Sequence, residues 1–235
     1  MADVFFQFPT YVWVAVLMGV GLAIDAAFIW LDCHQKRHRA VAFKGVASLF
    51  FVALAIYGTV CTGSSYFRWL IVVGAAFGTL GDVTLALRGV YPRHGMGLML
   101  AGIGQFFLGH VAYLVALGLE VPERLLFALI PTAILFVPAL LFFRRLLDIP
   151  KVIEPCGIVY VFAVIAMFAV ALVGGILSPR PRTVMFACGA CCFMVSDLIL
   201  CYQFFGRKRI PALSPLLLVL YYVGQMAIAL TTFAA

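Results

Sequence analysis

Charge is scarce in this chain: 11% of its 235 residues are Asp, Glu, Lys or Arg, and nine of those are acidic. So few charges cannot wet the surface of a soluble domain of this length. Also missing are any long polar segment in which a soluble domain could sit and the period-two alternation that a barrel strand requires. No Lys or Arg precedes Tyr11 and no small-residue cleavage site follows, so the first apolar run is expected to be retained rather than removed as a signal peptide. Cysteine is present, seven times, but without a ligand pattern. Cys188 and Cys191 make one C-x-x-C in the middle of an apolar run, with no second pair and no nearby His. Packing by small residues is the expected role, with no disulfide framework and no bound metal or cofactor.

What fills the sequence is hydrocarbon. Hydrophobic residues make up 66% of it and the mean hydropathy is +1.16. Apolar runs occupy residues 11–31, 44–61, 67–87, 97–117, 124–143, 155–177, 183–205 and 213–233. Each is near the ~20 residues that a helix needs to cross ~30 Å of hydrocarbon. The expected fold is all-α: a polytopic membrane protein with eight transmembrane helices forming a single domain, 1–235.

A formal charge of +7 could point to nucleic acid, but its placement points to topology. Segments after runs 1, 3, 5 and 7 hold eleven cations: Lys36, Arg37, Arg39, Arg88, Arg93, Arg144, Arg145, Lys151, Arg207, Lys208 and Arg209. The other side holds four, Arg68, Arg124, Arg180 and Arg182. Positive-inside bias then places the basic segments in the cytoplasm and both termini outside. No nucleic-acid partner is expected; membrane lipids are.

Two stretches share a design. GAAFGTLGDVTLAL (74–87) and GACCFMVSDLILCY (189–202) each set an Asp eight residues after Gly-Ala and a Leu three residues further on. At the same offset of 115, FFLGHVAYLVAL (106–117) lies over YYVGQMAIALTT (221–232), so His110 falls on Gln225, and each follows its Asp by 28 positions. The expectation is a parallel repeat of two four-helix halves, about 11–117 and 124–233.

Helical spacing puts Gly74, Gly78, Gly81, Asp82 and Leu85 near one face of the third run, and Gly189, Phe193, Ser196, Asp197 and Leu200 near one face of the seventh. His110 and Tyr113 share a face, as do Tyr221, Tyr222 and Gln225. Each mid-helix Asp costs about 2.5 to 3.5 kcal/mol on insertion, so two at matched depth need either partners or a task. Asp82, Asp197, His110, Gln225 and the tyrosines are expected to converge on one polar pocket. With these boundaries Asp82 lies ~8 Å and His110 ~20 Å from the inner edge, which leaves contact between them open. Lys44 is either an interfacial anchor or a contact to a lipid phosphate, Tyr160 either a pocket hydroxyl or an interfacial aromatic, and Asp25 is expected to snorkel to the near interface or pair with a loop cation.

Taken together, G-D-x-x-L at 81–85, F-x-x-G-H-x-x-Y at 106–113, Pro155 with Tyr160 and Met167, the G-A and S-D pairs of 189–197 and Y-Y-x-x-Q at 221–225 resemble the YhhN-type lysoplasmalogenases. These are multi-spanning hydrolases of the vinyl ether bond of lysoplasmalogens. The family's second span often carries Lys-Pro where this chain has Lys44-Gly45. The resemblance implies a lysophospholipid substrate and a fatty aldehyde product. Its chemistry needs a proton for the outer alkene carbon and a carboxylate beside the oxocarbenium ion that forms. Two neighbouring carboxyls divide naturally into those roles. Asp82 and Asp197 are the catalytic candidates, with His110, Tyr113, Tyr160, Tyr221, Tyr222, Gln225 and Lys44 orienting substrate or water. The alternative is a transporter or lipid receptor with the same polar site, although no Pro interrupts the helices beside Asp82, His110 or Asp197. A zinc hydrolase would draw several His or Cys ligands, and a serine hydrolase would show G-x-S-x-G; neither pattern occurs.

Overall fold

The structure is a computed structural model that describes residues 10–33 and 37–234, with side chains for 12–24, 26, 27, 30 and 41–234. Eight α-helices run through the described residues: α1 (Thr10–Cys33), α2 (Arg37–Thr62), α3 (Tyr66–Val90), α4 (Gly95–Glu120), α5 (Leu125–Leu146), α6 (Glu154–Leu177), α7 (Pro181–Phe205) and α8 (Leu213–Leu230). The last seven contain stretches long and apolar enough to cross a bilayer. α1 is 24 residues long, and Val12–Ile24 is its described apolar stretch. The chain is a multi-pass, all-α membrane protein. Lys36 and the side chains of Asp25, Arg37 and Arg39 lie outside the described residues, and so do the expectations placed on them.

Local chemistry explains the helix ends. Gly63, at φ 93°, takes the left-handed conformation that closes the short α2–α3 turn. Ser65 then caps α3 by accepting from the backbone N–H of Arg68 at 3.3 Å. Pro92 and Pro122 follow the ends of α3 and α4, and Pro181 opens α7, where its missing N–H has no helical partner to lose. α2 begins at Arg37 rather than near Lys44, because the basic segment before Lys44 continues the helix. Lys44 therefore sits two turns inside α2 and not at its edge.

Helix contacts form a ring, α2–α3–α4–α6–α7–α8 and back to α2. α1 packs outside against α2 and α8, and α5 packs outside on α6. Advancing each helix number by four carries the ring onto itself, the order that a duplicated four-helix unit would give. The same close approach also occurs in each half. A Cβ on Gly109 would sit 3.0 Å from the Gly74 carbonyl oxygen, and one on Gly224 would sit 2.9 Å from that of Gly189. With no Cβ at these four positions, α3 lies directly on α4 and α7 directly on α8.

One end of the bundle is tied shut by polar bonds. Arg182 meets Glu120 at 2.6 Å and donates to the Ala234 carbonyl at 2.6 Å, while Arg68 donates to the Thr232 carbonyl at 2.8 Å. Three of the four minority-side cations, Arg68, Arg180 and Arg182, are spent in this cluster.

Candidate active site

At the other end, a cavity of about 430 Å³ runs between α2, α3, α4, α7 and α8 toward the basic segments that follow α3 and α7. Both aspartates line it. They are nearly sealed from the outside, at 1% and 5% exposure for Asp82 and Asp197. The volume falls within the ~300–1,000 Å³ of small-molecule sites.

Asp82 is held from three directions. Lys44 of α2 pairs with Oδ1 at 3.0 Å, and the hydroxyls of Ser48 and Tyr221 each donate to Oδ2 at 2.6 Å. One ammonium and two hydroxyls occupy three of the roughly four acceptor positions of a carboxylate, leaving one on the cavity side for a water. The glycines of α3 admit these partners: Gly78 leaves room for Gln225, and Gly81 for the Phe106 ring that packs edge-on against Tyr221. A side chain at Gly81 would push Phe106 into Tyr221 and pull that hydroxyl off Asp82.

Asp197 has a different setting. Tyr160 of α6 donates to its Oδ2 at 2.5 Å, and the Nε2 of His110 stands 3.9 Å from the same oxygen. No Lys or Arg pairs with it among the described residues. The Nδ1 of His110 lies 2.7 Å from the Phe106 carbonyl, which only accepts, so Nδ1 carries the hydrogen. Nε2 is then a buried acceptor without a hydrogen-bond partner, 3.9 Å from the Asp197 carboxyl. Phe193, Tyr160 and Tyr113 stand edge-on around the imidazole and fix its plane.

Of the group expected in one pocket, Asp82, Asp197, Lys44 and Tyr221 line the cavity, whereas Tyr160 and His110 approach Asp197 from outside its lining. The contact of His110 left open by the sequence falls toward Asp197 of α7, at 3.9 Å, and Tyr221 of α8 reaches Asp82. Tyr160 is a buried hydroxyl on Asp197 and not an interfacial ring. Lys44 lines the cavity, yet its ammonium is committed to Asp82 rather than standing as an interfacial anchor. Tyr113 donates to Gln225 Oε1 at 2.7 Å, a link between halves that lies beyond the cavity lining. Tyr222 is fully buried against Phe51 and Tyr221. Ser48, Gln203, Arg88 and Arg209 escaped the sequence reading as site residues. Ser48 stands four residues after Lys44 on the same face of α2 and could have been found by that spacing. Among the described residues, no three His, Cys, Asp or Glu side chains gather as a metal-binding set.

No curated protein and no solved structure matches the chain. The model of the YhhN family does, over residues 39–232, a stretch that includes every residue of the cavity and of both aspartate settings. On that match, which leaves out residues 1–38 and 233–235, the protein belongs to the YhhN family.

Proposed function

We propose that the protein is a lysoplasmalogenase that protonates and hydrates the vinyl ether of a lysophospholipid within this cavity. Family membership supports a hydrolase of this type. The observation that carries the mechanism is the unlike setting of two carboxyls in one cavity: an ammonium on Asp82, and none on Asp197 among the described residues. Asp82 is the member held as carboxylate. Asp197, buried and without a cation beside it among the described residues, is the member that keeps a proton.

Asp197 delivers that proton to the outer alkene carbon, leaving an oxocarbenium ion shared between the inner carbon and the ether oxygen. The Asp82 carboxylate stabilises that cation and orients a water through its remaining acceptor position. Water adds to the inner carbon and gives up a proton, which restores Asp197. The hemiacetal then collapses, its C–O bond to glycerol breaking as the hydroxyl proton passes to the leaving oxygen, to give a fatty aldehyde and a glycerophospho compound. Leu85, Leu200 and Leu217 supply apolar walls for the first carbons of the chain.

The purified protein should release fatty aldehyde from choline and ethanolamine lysoplasmalogens and none from the matching saturated ether lysolipids. Uptake of the lipid by liposomes without aldehyde would favour a carrier, and release from the saturated ethers would exclude the protonation mechanism.

A further inference from the structure

Two cations at the cavity's basic end remain unexplained by the chemistry above. Arg88, on the last turns of α3, and Arg209, in the segment between α7 and α8, both line the cavity. Neither has an ion-pair partner among the described residues. Arg88 is braced on the Phe204 ring, with its guanidinium carbon 5.0 Å from the ring centroid. The position of Arg209 is also built. Gln203, 8% exposed, accepts from the Ile210 N–H at 3.1 Å and donates to the Ile210 carbonyl at 2.8 Å and to Ser214 at 2.9 Å. A buried amide with three bonds across one segment fixes the backbone next to Arg209. Two guanidiniums on the lining of one cavity mouth, the outer one exposed, offer converging donors to an anion.

We infer that Arg88 and Arg209 form a phosphate site that holds the glycerophospho head group of the lipid while its chain end lies between the aspartates. The spacing fits. Six residues of helix separate Arg88 from Asp82, about 9 Å at 1.5 Å per residue. Seven bonds separate the phosphorus of a lysoplasmalogen from its outer alkene carbon, about 8 Å when extended at the ~1.2 Å per bond of an extended chain. With phosphate between the arginines, the double bond lies at the depth of the carboxyls. Lys44, bound to Asp82, is not needed for the head group. The inference rests on the lysoplasmalogen reading for the identity of the chain, but the phosphate contact can be tested without turnover.

Three unreactive probes separate the possibilities: a 1-O-alkyl glycerophosphocholine, the matching 1-O-alkylglycerol and inorganic phosphate, each measured by equilibrium binding to the detergent-purified protein. The unaltered protein should prefer the glycerophosphocholine, and Arg88→Gln with Arg209→Gln should weaken its binding by at least tenfold while changing alkylglycerol affinity less than twofold. Arg209→Glu, which gives Arg88 an internal partner, should abolish the preference without lowering thermal stability. Gln203→Leu should weaken the glycerophosphocholine alone, with both arginines intact. A preference that survives Arg209→Glu would overturn the assignment, as would inorganic phosphate displacing the lipid probe at equal concentration. Because no probe is cleaved, the outcome does not depend on whether the protein hydrolyses vinyl ethers.

Discussion

Replacing Asp197 with Asn should lower kcat by about 10²- to 10⁴-fold, the range a general acid supplies, with the fold left intact. The substitution suits its surroundings. The Asn carbonyl oxygen can still accept from Tyr160, now 2.5 Å from Oδ2, so the short hydrogen bond that holds Asp197 is kept. Only the transferable proton is lost. Thermal stability in detergent should be unchanged or slightly raised, and binding of a saturated ether lysolipid should be retained. Near-normal turnover in this variant would remove Asp197 from the chemistry. Unfolding would instead make it a structural lock between α6 and α7.

Asp82→Asn should abolish turnover as well, but with a loss of stability that Asp197→Asn does not share. Lys44 would face an uncharged amide. Breaking a buried pair by removing one partner destabilises by about 3–5 kcal/mol, and by less here because the Lys44 side chain is 15% exposed, against 2% for Asp82. Combining Asp82→Asn with Lys44→Met should recover most of the stability, because the orphaned ammonium is gone. It should recover none of the turnover. Aldehyde release and melting temperature, measured on the single and double variants, separate the two contributions. Recovery of activity along with stability would mean that Asp82 only neutralises Lys44.

Much of this site could be read along the chain because its signals are periodic. The two Asp-bearing stretches, the 28-residue step to His110 and Gln225, and the small-residue faces of α3 and α7 all follow helical spacing. The pairings were harder to read, since they are made across the ring. Whether His110 meets Asp82 or Asp197 depends on the helix neighbours α4 and α6, and nothing in the order of the chain states that α4 lies beside α6. The role of Lys44 depended on where α2 begins. A boundary drawn at the first apolar run made it an edge residue, whereas seven further residues of helix carry it inward to Asp82. Along the chain Arg88 and Arg209 read only as charges of the basic segments. Their convergence becomes visible only when the α7–α8 segment is pinned back by Gln203.

If cleavage begins with proton transfer to carbon in this cavity, the product made in D₂O carries the isotope at a defined position. A lysoplasmalogen is turned over by the purified protein in D₂O, the aldehyde is reduced at once by borohydride to prevent exchange, and the alcohol is read by mass spectrometry. Protonation at the outer alkene carbon leaves one deuterium on carbon 2 of the chain, with release suppressed in Asp197→Asn. An aldehyde without deuterium at that carbon, or the same release from the Asn variant, would contradict the mechanism.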